Sequence, residues 1–448
     1  VGDRGDMNGT RRVTRRALLG GVTGVAGAAI LAACGADSRG IQAGEVTGAA
    51  GTGVATAAAV QANETRRAGT AQGGTPIGAA GAMTNSGTPT SGTPNPGSTP
   101  AAGTAQAQGT ALSGPYTGKK LNVALVLNGQ LGDKSFFDSA QRGMDRAKAE
   151  LGSTVRTIEL STDQNRWQPG LTDAAAGNYD LVICGTFDMV KPLSEIAPTQ
   201  PNKRFVFFDQ AVDYTKSGFT NVYSVLFRQN EGSYLLGYAA GLLVQSTNAD
   251  VQRLTGGGKK LGFLGGSRQP VIEDFLIGFR QGAKDAGLNP MSDVLVSYVE
   301  GSNPFSDPAK GKELSLAMYG QGAGIGYGVA GGSGLGLLEA GAQQKRLTLG
   351  VDSDQYELLK TSKPDQAQYI VTSMLKRVDN GLFRAVRLAG DNSLKYGTVE
   401  AIGLRDGGVE LADNENYKKI VPQDIRDKVA ARSKEIAAGT FMVETVIK

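Results

Sequence analysis

The 448-residue chain contains no histidine. That absence removes the commonest general base and the commonest zinc ligand, so neither a histidine-based hydrolase nor a typical zinc centre is expected. Cysteine is nearly absent too. Cys34 and Cys184 stand in unlike contexts and supply no disulfide framework. Cys184 lies inside an apolar run and reads as inert core. There is no long run of one charge: 46 Lys and Arg face 42 Asp and Glu, for a net charge of +4. A basic stripe for nucleic acid is therefore not indicated. No complete cofactor loop is present. Gly332-x-Gly334-x-Gly336 has Leu337 where the last Gly of a dinucleotide fingerprint belongs, and Thr255–Lys260 (TGGGKK) lacks the ending of a phosphate loop. No metal and no cofactor are expected.

Glycine, by contrast, is abundant at 65 residues, well above the usual ~7%. Much of the excess lies near the N-terminus. Residues 11–34 read RRVTRRALLGGVTGVAGAAILAAC. A basic start precedes an uncharged run from Ala17 to Ala33, too short and Gly-rich for a span of ~20 apolar residues but suited to a signal peptide. It ends in Leu31-Ala32-Ala33-Cys34, which resembles a bacterial lipobox with Cys34 as the lipidated residue. Thr14–Leu19 (TRRALL) resembles a twin-arginine export signal. Met7 is a candidate start. Residues 35–117 then collapse to Gly, Ala, Thr, Ser and Pro, with Tyr116 as their one aromatic. Such a segment cannot offset its ordering entropy by burial. It reads as a disordered leash of about 50 Å r.m.s. reach, on ~5–6 Å × √n.

From Gly118 the pattern changes. Leu121–Leu127 (LNVALVL) is a near-continuous apolar run, as in strands buried on both faces of a parallel sheet. Phe136, Phe137, Ala140, Met144, Ala147 and Leu151 follow at helical spacing, with Asp133 or Ser135 placed to cap. Strand-like runs continue at Val155–Leu160, Leu181–Gly185, Phe205–Asp209 and Val222–Phe227. A helical stretch covers Tyr234–Val244. A second series occupies Leu261–Leu264, Val294–Val299, Ile325–Ala330 and Leu347–Val351. This alternation predicts an α/β fold of two doubly wound parallel-sheet lobes joined by a hinge. The first lobe is mainly 118–228 and the second mainly 229–370, with C-terminal segments crossing the hinge. Ligands in such sheets bind beyond the carboxyl ends of the strands. Those ends carry Asn128-Gly129, Gly132–Asp138, Cys184–Asp188, Asp209-Gln210, Gly265–Arg268, Gly301–Phe305, Ala330–Gly334 and Gly350–Asp354. Aromatics, carboxylates and small polar groups from both lobes suit a small polar ligand with a flat ring and hydroxyls. Trp167 is read as packing a lobe edge.

Several of these stretches resemble the basic membrane lipoprotein (BMP) family of solute-binding proteins: Leu131–Gly143 (LGDKSFFDSAQRG), Asn221–Phe227 (NVYSVLF), Glu231–Leu243 (EGSYLLGYAAGLL), Ala330–Gly336 (AGGSGLG), Gly350–Gln355 (GVDSDQ) and Thr372–Lys376 (TSMLK). The resemblance covers about Leu121 to Gly403. It implies the fold of a type I periplasmic binding protein and a nucleoside ligand, often a purine nucleoside, taken up by an ABC importer. It further implies that Phe136 and Phe305 stack the base from opposite lobes and that Asp352 or Asp354 holds the ribose hydroxyls. Asp352 is favoured because it directly follows its strand. By the same resemblance Lys376 approaches the ribose or base, Asp209 and Asn128 line the first-lobe face, and Gly331 or Gly332 lets the backbone approach the ligand. Asp133 either caps its helix or faces the ligand. The implied partners are a membrane permease, a cytoplasmic ATPase and, through Cys34, the extracytoplasmic face of the cell membrane. One departure stands out. Many family members carry Asn after the motif Phe, where this chain has Phe137. That keeps open a sugar or signal-molecule receptor of the same fold feeding a sensor. A nucleoside hydrolase or dehydrogenase is the third reading, against which the missing histidine and cofactor loop count.

Overall fold

The computed structural model describes residues 114–447. The signal peptide, Cys34 and nearly all of the leash lie outside the described residues.

Ten strands follow in order: β1 (Asn122–Leu127), β2 (Thr154–Glu159), β3 (Leu181–Gly185), β4 (Arg204–Phe208), β5 (Val222–Phe227), β6 (Lys260–Gly265), β7 (Val294–Tyr298), β8 (Ala323–Val329), β9 (Leu347–Val351) and β10 (Ile370–Lys376). Two more, β11 (Thr398–Ile402) and β12 (Val409–Leu411), complete the sheets. The first lobe's sheet has the order β11-β5-β4-β3-β1-β2 and the second's β12-β10-β9-β8-β6-β7. Every pairing is parallel except β10 with β12. The α/β reading with two parallel-dominated lobes therefore holds.

The reason is visible in β1. Val123, Leu125 and Leu127 face one apolar core while Ala124 and Val126 face another. Helices cover both sides, so alternation disappears and the strand reads as a continuous apolar run. The helix Phe136–Leu151 buries Ala140, Met144, Ala147 and Leu151, the stripe expected from spacing. It ends at Gly152, whose φ of 67° closes the last turn through a bond to the Ala147 carbonyl.

The chain crosses between lobes three times, at 227–229, 376–378 and 402–404. Arg228 N–H donates to the Ile402 carbonyl at 2.9 Å, tying the first crossing to the third. After the second crossing, the helix Val378–Gly390 returns to the first lobe and packs on Phe136–Leu151. Gly143 makes this possible, since a Cβ there would lie 2.6 Å from the Asp379 carbonyl oxygen. The helices Glu415–Ile420 and Gln423–Ala438 pack on the second lobe.

Candidate functional site

The carboxyl ends of the two sheets enclose a cavity of about 550 Å³. Strand order lays out its walls. In the first lobe, moving away from the hinge, Asp209 follows β4, Thr186–Asp188 follow β3, Asn128 follows β1, and Gln164 and Trp167 follow β2. In the second lobe, Lys376 ends β10, Asp352 follows β9, Ala330–Gly332 follow β8, Ser267 follows β6, and Glu300–Phe305 follow β7. Neighbouring strands stand ~4.8 Å apart, so each lobe presents a row of side chains at that pitch.

The hinge end is charged. Lys376 is only 1% exposed, and its ammonium pairs with the Asp209 carboxylate across the lobes. The same ammonium lies 5.1 Å from the ring centre of Phe275 and 5.5 Å from those of Phe136 and Phe227. These rings desolvate the cation while their faces attract it. Asp352 N–H donates to the Met374 carbonyl at 2.7 Å, and Lys376 N–H returns to the Asp352 carbonyl at 3.2 Å. The end of the sheet thus fixes the two residues against each other. Ser135 Oγ, from the other lobe, donates to Asp352 Oδ2 at 2.5 Å. Burial pushes the Asp352 carboxyl up to about 7, against the opposing pull of Lys376 and the Ser135 bond. Burial also raises Asp209, outweighing the Lys376 attraction.

Asp209 and Asp352 both adopt left-handed backbone, with φ of 67° and 63°. Aspartate tolerates this conformation better than most residues, and such strain collects at functional sites. Thr186 does the same at the end of β3, with φ of 78°. For a β-branched residue this is a true outlier. It turns the chain so that Phe187 and Asp188 join the cavity wall.

The outer part is aromatic. Phe136 lies 5.5 Å from Phe208 and 5.5 Å, edge-on, from Phe137. Phe137 presses on Gly129, where a Cβ would meet its ring at 2.3 Å. Phe305 stands over Gly266, where a Cβ would lie 2.2 Å from Cε1, and meets Phe187 of the other lobe at 5.9 Å between ring centres. Asn128 Oδ1 accepts from Thr186 Oγ1 at 3.1 Å. Gly331 and Gly332 both line the wall, and a Cβ on either would come within 3.2 Å of the Phe305 carbonyl oxygen.

Asp133 lines the wall as well, but its carboxylate serves the adjoining helix. It accepts from the N–H groups of Ser135 (2.9 Å), Phe137 (2.8 Å) and Asp138 (3.1 Å). Asp354 requires a correction. It is not part of the cavity wall. Its carboxylate caps the helix Gln355–Leu359, accepting from Glu357 N–H at 3.3 Å and from Asn414 Nδ2 at 3.0 Å. Both bonds fall on Oδ1 and hold the side chain at the helix start, outside the cavity wall. Beside it, Ser353 Oγ donates to the Ser135 carbonyl at 2.8 Å and accepts from Arg142 Nη2 at 2.7 Å, tying the lobes together.

Trp167, Phe187 and Asp188 are cleft residues that the sequence reading left unassigned to a ligand. Trp167 had been placed at a lobe edge. It does pack there, beside the edge strand β2, and it also opens the helix Trp167–Ala176 at the cleft wall, with its indole N–H occupied by the Ser161 carbonyl at 2.9 Å. Phe187 and Asp188 carried a usable signal, because they directly follow a strand.

Two doubly wound lobes joined by three crossing segments, with a cavity between their strand ends, have the fold of the type I periplasmic solute-binding proteins. The chain belongs to the Bmp family, described as ABC transporter substrate-binding protein PnrA-like, whose sequence profile matches residues 120–440. Over 338 residues it is 30% identical to the ABC transporter nucleoside-binding protein BmpA of Lactococcus lactis, covering 72% of this chain and 89% of that one. It is 30% identical to an uncharacterised lipoprotein of Pyrococcus furiosus over 65% of this chain and 70% of that one. Among solved structures, an ABC transporter solute-binding protein from Aeropyrum pernix superposes with a TM-score of 0.64 at 25% identity, covering 73% of this chain and 94% of that one. Members of this family bind a small molecule and deliver it to a transporter.

Proposed function

We propose that this chain is an extracytoplasmic receptor, anchored through a lipid on Cys34, that captures a purine nucleoside for an ABC importer. The arrangement of the cleft carries the reading. Asp209, Lys376 and Asp352 offer two carboxylates and a cation at the hinge end, where a ribose diol donates to the carboxylates. Phe136 and Phe305 offer rings from opposite lobes, between which a flat base stacks; such pairs contribute ~0.5–1.5 kcal/mol beyond burial. The nucleoside-binding relative supports the same ligand class.

A ligand that touches both walls binds the closed form better and shifts the population toward it. The closed receptor then docks on a permease whose ATPase supplies the work. No bond in the ligand is made or broken. A second reading, a sugar receptor, rests on Phe137, whose ring replaces an amide that could bond a base.

Thermal unfolding with nucleosides, nucleobases and pentoses tests the proposal. A ligand at a hundredfold excess over Kd stabilises by ~2.7 kcal/mol. A rise with purine nucleosides but not ribose is expected. A rise with a pentose alone would keep the fold and discard the ligand.

A further inference from the structure

The cleft wall carries two carboxylates without a partner among the described residues, the exposed Glu300 and the half-buried Asp188 in its aromatic part, and only the second is desolvated. The Asp188 carboxylate lines the cavity and is half-buried, yet among the described residues it has neither a hydrogen-bond donor nor a cation beside it. The other buried carboxylates of the cleft are occupied: Asp209 by Lys376, Asp352 by Ser135, Asp133 by three backbone N–H groups. A partly desolvated carboxylate without donors is costly, and burial raises its affinity for a proton. The backbone makes a second, independent point. Asp188 is brought to the wall by the left-handed Thr186, a strained conformation for a β-branched residue. The Thr186 hydroxyl donates to Asn128 and so is turned away from Asp188.

Position narrows what the carboxylate meets. Asp188 follows β3, the strand next to β4, which carries Asp209. It therefore belongs to the next strand end away from the hinge. A nucleoside with its ribose at Asp209 and Lys376 points its base outward along that row. The nearest aromatic groups on that side add no competing donor: Phe187 has none and the Trp167 N–H is occupied by Ser161.

We propose that Asp188 is a specificity-determining residue that selects a guanine-type base, accepting hydrogen bonds from two adjacent N–H donors on one ring edge. The proposal rests on the nucleoside reading of the cleft. An ionised carboxylate is acceptor-only, with two oxygens in one plane. Guanine presents N1–H and the 2-amino group side by side, matching both oxygens. Hypoxanthine presents N1–H alone. Adenine sets an unprotonated ring nitrogen beside its amino group, and that lone pair is repelled by the second oxygen.

The test is calorimetric titration of the wild type and Asp188→Asn with guanosine, inosine and adenosine at neutral pH. The wild type binds guanosine most tightly, then inosine, then adenosine. Asp188→Asn weakens guanosine binding by about tenfold to a hundredfold, the range for hydrogen bonds to a charged group, and changes adenosine binding by less than about threefold. Because Asp188 bonds nothing among the described residues and its charge is partly desolvated, the ligand-free variant melts no lower than the wild type, which separates a binding effect from misfolding. Equal affinities in the wild type, or an equal loss for all three nucleosides in the variant, would overturn the assignment and leave the nucleoside receptor standing. Failure of every nucleoside to bind would overturn both.

Discussion

Replacing Lys376 by Met isolates the energetics at the hinge end of the cleft. Lys376 and Asp209 are 1% and 7% exposed, and each is the other's only ion-pair partner among the described residues. Removing the ammonium leaves the buried Asp209 carboxylate with nothing to neutralise it. Breaking a buried pair in this way costs about 3–5 kcal/mol. At ~2 °C per kcal/mol for a body of this size, Tm should fall by about 6–10 °C. The pair K376M/D209N removes both charges and should recover most of that loss, since neutral replacement of a buried ion pair is often harmless. The sign of the pH dependence follows. Burial already raises the Asp209 carboxyl and the loss of its cation raises it further, so K376M should be closest to wild type in acid, where the carboxyl is protonated in both the folded and unfolded chains. It should lose ground as pH rises toward the folded pKa. Urea unfolding of the three variants across pH 5–8 measures this directly. A loss under about 1 kcal/mol in K376M, or a double variant no better than the single, would refute the account of the pair.

Two further outcomes follow from the same geometry. The Asp352 carboxyl, raised to about 7 by burial, keeps its proton in the folded state over a range where the unfolded chain has lost it. Stability should therefore fall by up to about 1.4 kcal/mol per pH unit between pH 4 and 7, and D352N should flatten that slope in a pH series of unfolding curves. Gly266→Ala would place a methyl 2.2 Å from the Phe305 ring; the ring must swing away, so ligand affinity should drop by about tenfold or more while Tm changes little, as read by titration and calorimetry.

How far the sequence can be read depends on burial. Strands with helices on both faces, such as β1 and β3, announce themselves as apolar runs. The strands that went unassigned are of another kind. β11 is largely exposed, β12 has three residues and pairs antiparallel at an edge, and β10 (IVTSMLK) mixes polar residues into its run, where Thr372 donates to the Ala412 carbonyl, Ser373 accepts from Gln355 N–H and Lys376 enters the cleft. The choice between Asp352 and Asp354 could not be made from spacing. It is decided by where each backbone turns: Asp352 ends a strand in left-handed conformation, whereas Asp354 starts a helix. Trp167 was opaque for a similar reason, since only the position of β2 at the sheet edge brings the following helix to the cleft. Phe136, Phe305 and Lys376 were legible because they sit at strand and helix ends that the pattern located, and because their local motifs resemble the family's.

The three crossings of the hinge also set a timetable. The first lobe's sheet lacks its edge strand until residues 398–402 exist, and the second lobe's lacks one until residues 409–411 exist. Neither lobe is encoded by one uninterrupted stretch. A nascent chain that has presented everything up to β9 holds two unfinished sheets, each with an open edge of unpaired backbone groups, the feature that invites wrong strand pairing. Residues 398–411 close both. Synthesis of this receptor therefore passes through a long vulnerable interval, and a chaperone that shields open sheet edges would be most needed just before the ribosome reaches the final helices.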